Sequence, residues 1–188
     1  MLKGMVVGIV LALLAMFGGI YFYFAGGHAP VATKAPEMPF EHKFARMALH
    51  AYMDKLPHAN SPVPENEQNF LEGAKVYNQH CAVCHGLPGE PKSAIAAGMF
   101  PSPPQLFKGV GVTDDEAWET YWTVNGGIRM TGMPGFGDHL SETQMWQVSL
   151  LLKNADKISP AVKAAVAGVP AGGTAAPSPQ TAPPPATH

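Results

Sequence analysis

The chain predicts an all-α fold. Three observations carry that expectation: apolar residues recur at helical spacing in several separate stretches, capping patterns open the later ones, and no stretch alternates cleanly enough to make a strand. An uncharged apolar run near the N-terminus adds a candidate transmembrane helix. The 188 residues suffice for one ordinary domain with appendages. Net charge is −2 and the pI is about 6.4, with no basic stripe, so no nucleic-acid partner is expected.

The apolar run, Met5 to Ala25, holds 21 residues without a charge. As a helix it measures about 31 Å, close to the ~30 Å hydrocarbon core of a bilayer. A cleaved signal peptide has a shorter apolar region, about 7–15 residues, and ends in a small-residue cleavage site. Here the run ends in Tyr21-Phe22-Tyr23-Phe24, an aromatic belt suited to the membrane–water interface, and Phe24-Ala25-Gly26-Gly27 offers only a weak cleavage site. Residues 1–25 are therefore expected to be an uncleaved signal-anchor. Lys3 and the α-amino group precede the span and no Lys or Arg follows until Lys34, which points the N-terminus to the cytoplasm.

Residues 26–39 form a linker interrupted by Pro30, Pro36 and Pro39. Over 40–58 the pattern changes: Phe40, Phe44, Met47 and Ala51 follow helical spacing with charges opposite, an amphipathic juxtamembrane helix. It either packs on its own domain or lies on lipid or a partner subunit. His42, His50 and His58 recur at intervals of eight, which is not a ligating repeat. A domain is expected over 60–158. Asn60-Ser61-Pro62-Val63-Pro64 breaks the chain, and a helix begins near Glu65–Glu67 with Phe70, Ala74, Tyr77 and Cys81 on its apolar face, stopped by Gly86, Pro88 and Gly89. Thr113-Asp114-Asp115-Glu116 reads as a capping box for a helix through Trp118, Tyr121 and Trp122 to Val124, ended by Asn125-Gly126-Gly127. Ser141-Glu142-Thr143-Gln144 opens a last helix through Trp146, Val148 and Leu151 to Asn154. Residues 159–188 are expected to be a disordered Pro/Ala-rich tail: Gly168–His188 carries six prolines and no Lys, Arg, Asp or Glu.

Cys81-Ala82-Val83-Cys84-His85 reads C-x-x-C-H, the attachment signature for a covalently bound c-type haem, and these are the only two cysteines. Positions i and i+3 of a helix lie one turn apart on one face, so two thioethers can grip the two vinyl groups of one porphyrin. A thioredoxin-type pair needs a βαβ setting that the flanking sequence lacks, and a zinc site needs two further ligands. His85 supplies one axial ligand to the iron. The opposite ligand is sought among Met99, Met130, Met133, Met145 and His139. Met133 is favoured because Gly132-Met133-Pro134-Gly135-Phe136-Gly137 enforces a non-helical loop. Met145 belongs to a helix, Met99 is too close to His85 to reach the far face readily, and Met130 is the nearest rival.

These features in order resemble the class I monohaem cytochromes c in their membrane-anchored form, over about residues 64–154. Gly73-x-x-x-Tyr77-x-x-x-Cys81 looks like that family's N-terminal helix, where a small residue and an aromatic cross the C-terminal helix at positions matched by Val148 and Leu151. Pro104-Gln105-Leu106 is similar to the loop whose proline carbonyl accepts the axial imidazole N–H, and Gly132-Met133-Pro134 to the Met-ligand loop. The resemblance implies a helical domain around one covalent haem c, with Cys81, Cys84, Pro104 and Leu106 at the haem and His85 and Met133 on its iron. Arg129 either pairs a haem propionate or is a plain surface residue. The resemblance leaves the 40–58 helix and the tail unexplained, and the lysine ring of many soluble members is sparse here. Asp114, Asp115, Glu116 and Glu119 instead make an acidic cluster, which suggests partner access by tethering rather than by long-range steering.

The implied function is one-electron transfer between respiratory redox partners at the periplasmic face of a bacterial inner membrane, with no enzymatic activity and no small-molecule substrate. No catalytic acid, base or nucleophile is arranged for other work. The alternatives are a haem c subunit of a larger membrane oxidoreductase, or a haem enzyme or gas sensor with an open iron.

Overall fold

Every regular element among residues 2–108 and 114–168, the residues described by the computed structural model, is helical. The chain divides into two units at residue 52.

In the first unit, α1 (Leu2–Ala25) is an uninterrupted helix of 24 residues that buries none of its side chains. It is long and apolar enough to cross a membrane. A second helix, α2 (Glu41–Met53), starts after Phe40, whose φ of 66° lies in the left-handed region. The sequence extends this helix over 40–58; it ends at Met53 instead. Pro57 has no N–H to continue the ladder and disfavours helical backbone at Leu56, and the chain turns off with Leu56 N–H donating to Met53 O at 2.9 Å.

The second unit is built on a crossing of two helices. The first, α3 (Glu67–Val76), is capped by Asn66, whose side chain accepts from Asn69 N–H at 2.9 Å. Its partner α7 (Glu142–Lys153) is opened by the reciprocal Ser141/Gln144 capping box that the sequence announces. Gly73 sets how closely they meet: a Cβ there would lie 2.8 Å from the carbonyl carbon of Gln147 and 3.2 Å from Leu151 Cβ. Around that contact Ala74, Tyr77, Val148 and Leu151 are fully buried in one core with Val76, Met145 and Leu152.

After Val76 the backbone widens into a π-helical turn, Tyr77–Cys81, before resuming as α4 (Ala82–His85). Periodicity alone reads this stretch as continuous α-helix; the inserted residue leaves both Tyr77 and Cys81 buried. A short helix, α5 (Ala94–Gly98), is capped by Ser93, which accepts from Ala96 N–H at 3.1 Å. Next, α6 (Ala117–Gly126) stacks Tyr121 on Trp146 of α7, with ring centroids 4.3 Å apart. Its cap differs from the sequence reading. The box is Glu116 with Glu119, not Thr113 with Glu116, and Thr113 itself lies outside the described residues. Glu116 and Glu119 reproduce the required i, i+3 geometry three residues later.

The tail boundary also moves. Residues 160–166 form a further helix, α8 (Pro160–Val166), with Ser159 as N-cap and Pro160 in its first turn. Val162 and Val166, four apart, are fully buried in the α3–α7 core, and Asn78 donates to Ala165 O at 2.7 Å. Two buried valines on one helical face offset the ordering that composition argued against. The rest of the Pro/Ala-rich segment, 169–188, lies outside the described residues.

Candidate haem site

The C-x-x-C-H residues occupy the end of the π turn and all of α4. Cys81 is buried in the core, Cys84 half-buried, and both thiols are free. Burial, with the neighbouring Cys84 thiol adding, pushes the Cys81 thiol up to about 12. Such a group is a poor redox thiolate, which argues against a thioredoxin-like pair.

Gly86 ends α4 with a φ of 78°, a conformation glycine adopts without strain, and turns the chain so that Tyr77 Oη donates to Gly86 O at 2.6 Å. The Tyr77 ring meets Phe107 edge-on at 4.9 Å. Phe107 and Leu106 both pack against the core holding Cys81. They belong to the loop that carries Pro104, whose carbonyl oxygen lies 2.8 Å from His85 Nδ1. A carbonyl only accepts, so Nδ1 carries the proton, and in the neutral ring Nε2 keeps a free lone pair. Burial lowers the His85 pKa from its ordinary value, partly opposed by the Pro104 bond, and so favours the neutral imidazole that ligates metals. Gln105 anchors the same loop by donating from Nε2 to Glu90 O at 2.9 Å.

The Gly132–Gly137 loop is fastened to the C-terminal end of α6, where helical carbonyls lack intrahelical partners. Phe136 N–H donates to Val124 O at 2.8 Å and Gly137 N–H to Asn125 O at 3.1 Å. Ile128 N–H donates to Met133 O at 3.1 Å. Thr131 completes the turn: its Oγ1 donates to Ile128 O at 2.7 Å and accepts from Met133 N–H at 3.1 Å. Gly127 allows this approach, having a φ of 66° and a notional Cβ only 2.6 Å from the Pro134 carbonyl carbon. Sequence reasoning passed over Thr131, whose Thr-x-Met spacing of a side-chain turn was the available signal, and read Gly127 only as a helix stop.

Of the candidate second ligands, Met133 is half-buried and packs with Phe136 against the core containing Cys81. Met130 is 94% exposed at a left-handed position, His139 is exposed, and Met145 is buried within α7. Met99 is nearer than its spacing suggests, since a Cβ on Gly132 would overlap its Cε. Arg129 is exposed on the Ile128–Thr131 turn and makes no ion pair among the described residues. The structure thus brings Cys81, Leu106 and Met133 to one core and binds His85 to Pro104, but does not draw Arg129 in. These donors fit haem c: two thiols on one helical turn, an oriented imidazole and a half-buried thioether.

Known proteins bear on this arrangement. Residues 68–150 match the family model of cytochrome c oxidase, cbb3-type, subunit III. Cytochrome c550 of Pseudomonas aeruginosa is 33% identical over 84 residues, covering 44% of this chain and 52% of that protein. The quinohemoprotein alcohol dehydrogenase ADH IIB of Pseudomonas putida is 28% identical over 102 residues, 53% of this chain but 13% of that protein. The chain therefore spans about half of one relative and a small part of the other. No solved structure matches it significantly. With the C-x-x-C-H turn and the all-helical fold, these matches identify residues 68–150 as a c-type cytochrome domain, whose cofactor is covalent haem c and whose chemistry is electron transfer.

Proposed function

We propose that this protein is a membrane-tethered electron carrier, with no enzymatic activity or small-molecule substrate of its own. Cys81 and Cys84 form the thioethers and His85 and Met133 bind the iron. Bound there, haem c supplies a reversible one-electron Fe(III)/Fe(II) couple. The observation that carries the reading is the 2.8 Å bond between His85 Nδ1 and Pro104 O. It selects the tautomer, fixes the ring plane and strengthens Nε2 as a donor. Leu106 and Phe107 pack against the core beside it, and the loop fastened to α6 presents Met133, a neutral thioether that favours reduced iron. α1 anchors the chain in a bacterial inner membrane with its N-terminus in the cytoplasm, and the haem domain meets redox protein partners on the periplasmic side.

A denaturing gel stained for haem peroxidase activity tests attachment. Colour should stay with the polypeptide and vanish in Cys81→Ala/Cys84→Ala; a colourless wild-type band would end the proposal. A second reading, a haem c subunit of a larger membrane oxidoreductase, is favoured by the match to the cbb3-type subunit III model. Purification in mild detergent separates the two: a lone polypeptide supports the carrier, a stoichiometric assembly the subunit. Rapid carbon monoxide binding to the reduced protein would instead indicate an open iron.

A further inference from the structure

α2 presents an apolar face to solvent. Phe40, Phe44, Met47 and Tyr52 are 67, 59, 57 and 61% exposed, and the helix buries no residue. At about 100° per residue, Met47, Ala51, Phe44 and Ala48 fall within roughly 100° of one another on one side. Phe40, just ahead of the helix, meets Phe44 edge-on at 6.2 Å and extends that side. Lys43 borders it, Arg46 lies on the opposite side of the helix, and among the described residues neither forms an ion pair. Glu41, the acidic residue of the helix, is engaged locally, accepting from Met38 N–H at 2.8 Å. Residues 26–40 separate α1 from α2, a reach of at most about 50 Å when fully extended.

We propose that α2 lies in the headgroup layer of the bilayer that α1 crosses, with Phe40, Phe44 and Met47 inserted and Lys43 on anionic lipid phosphates. The proposal rests on the reading of α1 as an anchor. An interfacial helix binds by its buried apolar area plus attraction of its cationic flank to anionic lipid. Alone such a helix binds weakly, but a short tether to a spanning segment holds it at high effective concentration beside that surface. A hydrophobic groove on another protein is the competing occupant. Lipid is favoured because the unpaired Lys43 borders the apolar face and the tether keeps that face near a membrane. The chain then leaves the bilayer surface near residue 54 rather than near residue 26, which shortens the free leash between bilayer and haem.

The test is hydrogen–deuterium exchange on the full haem-loaded chain in nanodiscs of phosphatidylcholine with or without phosphatidylglycerol. Amides of 41–53 should exchange about fivefold slower in the anionic discs. Lys43→Glu should remove that difference, and Phe44→Asp/Met47→Asp should restore fast exchange in both, with the visible spectrum unchanged. Rates that do not depend on lipid composition overturn the proposal, as does protection that arises only with added partner subunits. An alkaline carbonate wash tests α1 separately. Release of the wild-type chain refutes anchoring itself, whereas a Phe44→Asp/Met47→Asp chain retained in the pellet leaves anchoring intact while α2 is judged by exchange.

Discussion

Substituting Gly73 by alanine tests the helix crossing beneath the haem motif. A methyl group there would sit on the Gln147 carbonyl, 2.8 Å from its carbon, and 3.2 Å from Leu151 Cβ. Ordinary contact needs about 3.4 Å or more and the carbonyl oxygen is nearer still, so α3 and α7 must part by up to about one ångström along a backbone-to-backbone contact that no rotamer can relieve. Overpacking of this kind costs about 1–3 kcal/mol, against a gain of about 1 kcal/mol for replacing a mid-helix glycine with alanine. The net expectation is a loss of about 0–2 kcal/mol against the wild type, a fall in Tm of at most roughly 15 °C for a domain of this size, and a loss of about 1–3 kcal/mol against a glycine-to-alanine change that meets no clash. Gly98→Ala is the control, because its methyl would meet nothing within 4 Å. Thermal and urea unfolding of the haem-loaded protein, followed in the Soret band and by far-ultraviolet dichroism, measures both. A Gly73→Ala protein as stable as the Gly98→Ala control would refute the close crossing.

Three further outcomes are expected. Tyr77→Phe removes the 2.6 Å bond to Gly86 O and should cost about 1–3 kcal/mol in urea unfolding, because a partly buried carbonyl loses its donor. Val162→Ala and Val166→Ala should each destabilise by roughly 1.5–3 kcal/mol, since both side chains are fully buried; values near zero would mean that α8 does not cover the core in solution. Thr131→Val loses both hydrogen bonds that shape the loop ahead of Met133 and should shift the reduction potential measured by spectroelectrochemistry, whereas Thr131→Ser should retain the wild-type value.

Residues whose local pattern admits one solution were legible in the sequence. The C-x-x-C-H turn, the Ser141/Gln144 cap and the Phe70, Ala74, Tyr77, Cys81 face all lie where their spacing placed them. Patterns with several solutions were not. Thr113 to Glu119 holds overlapping cap candidates, and the helix takes Glu116 as its cap. The π turn inserts a residue that periodicity cannot register. α8 was hidden by averaging composition over a long tail, although Ser159-Pro160 followed by Val162 and Val166 is a local start signal with an i, i+4 apolar pair. In the candidate site, the reach of Met99 to Gly132 and the fastening of the Met133 loop by α6 depend on contacts between distant segments, which no local spacing encodes.

The ligation of the iron is tested most directly by the visible and near-red spectrum of the ferric protein, compared with its Met133→Ala, Met130→Ala and Met99→Ala variants. A sulfur-to-iron charge-transfer band should be present in the wild type, persist in the Met130 and Met99 variants, and vanish in Met133→Ala. A band that survives in Met133→Ala, or is absent from the wild type, would contradict the His85–Met133 pair.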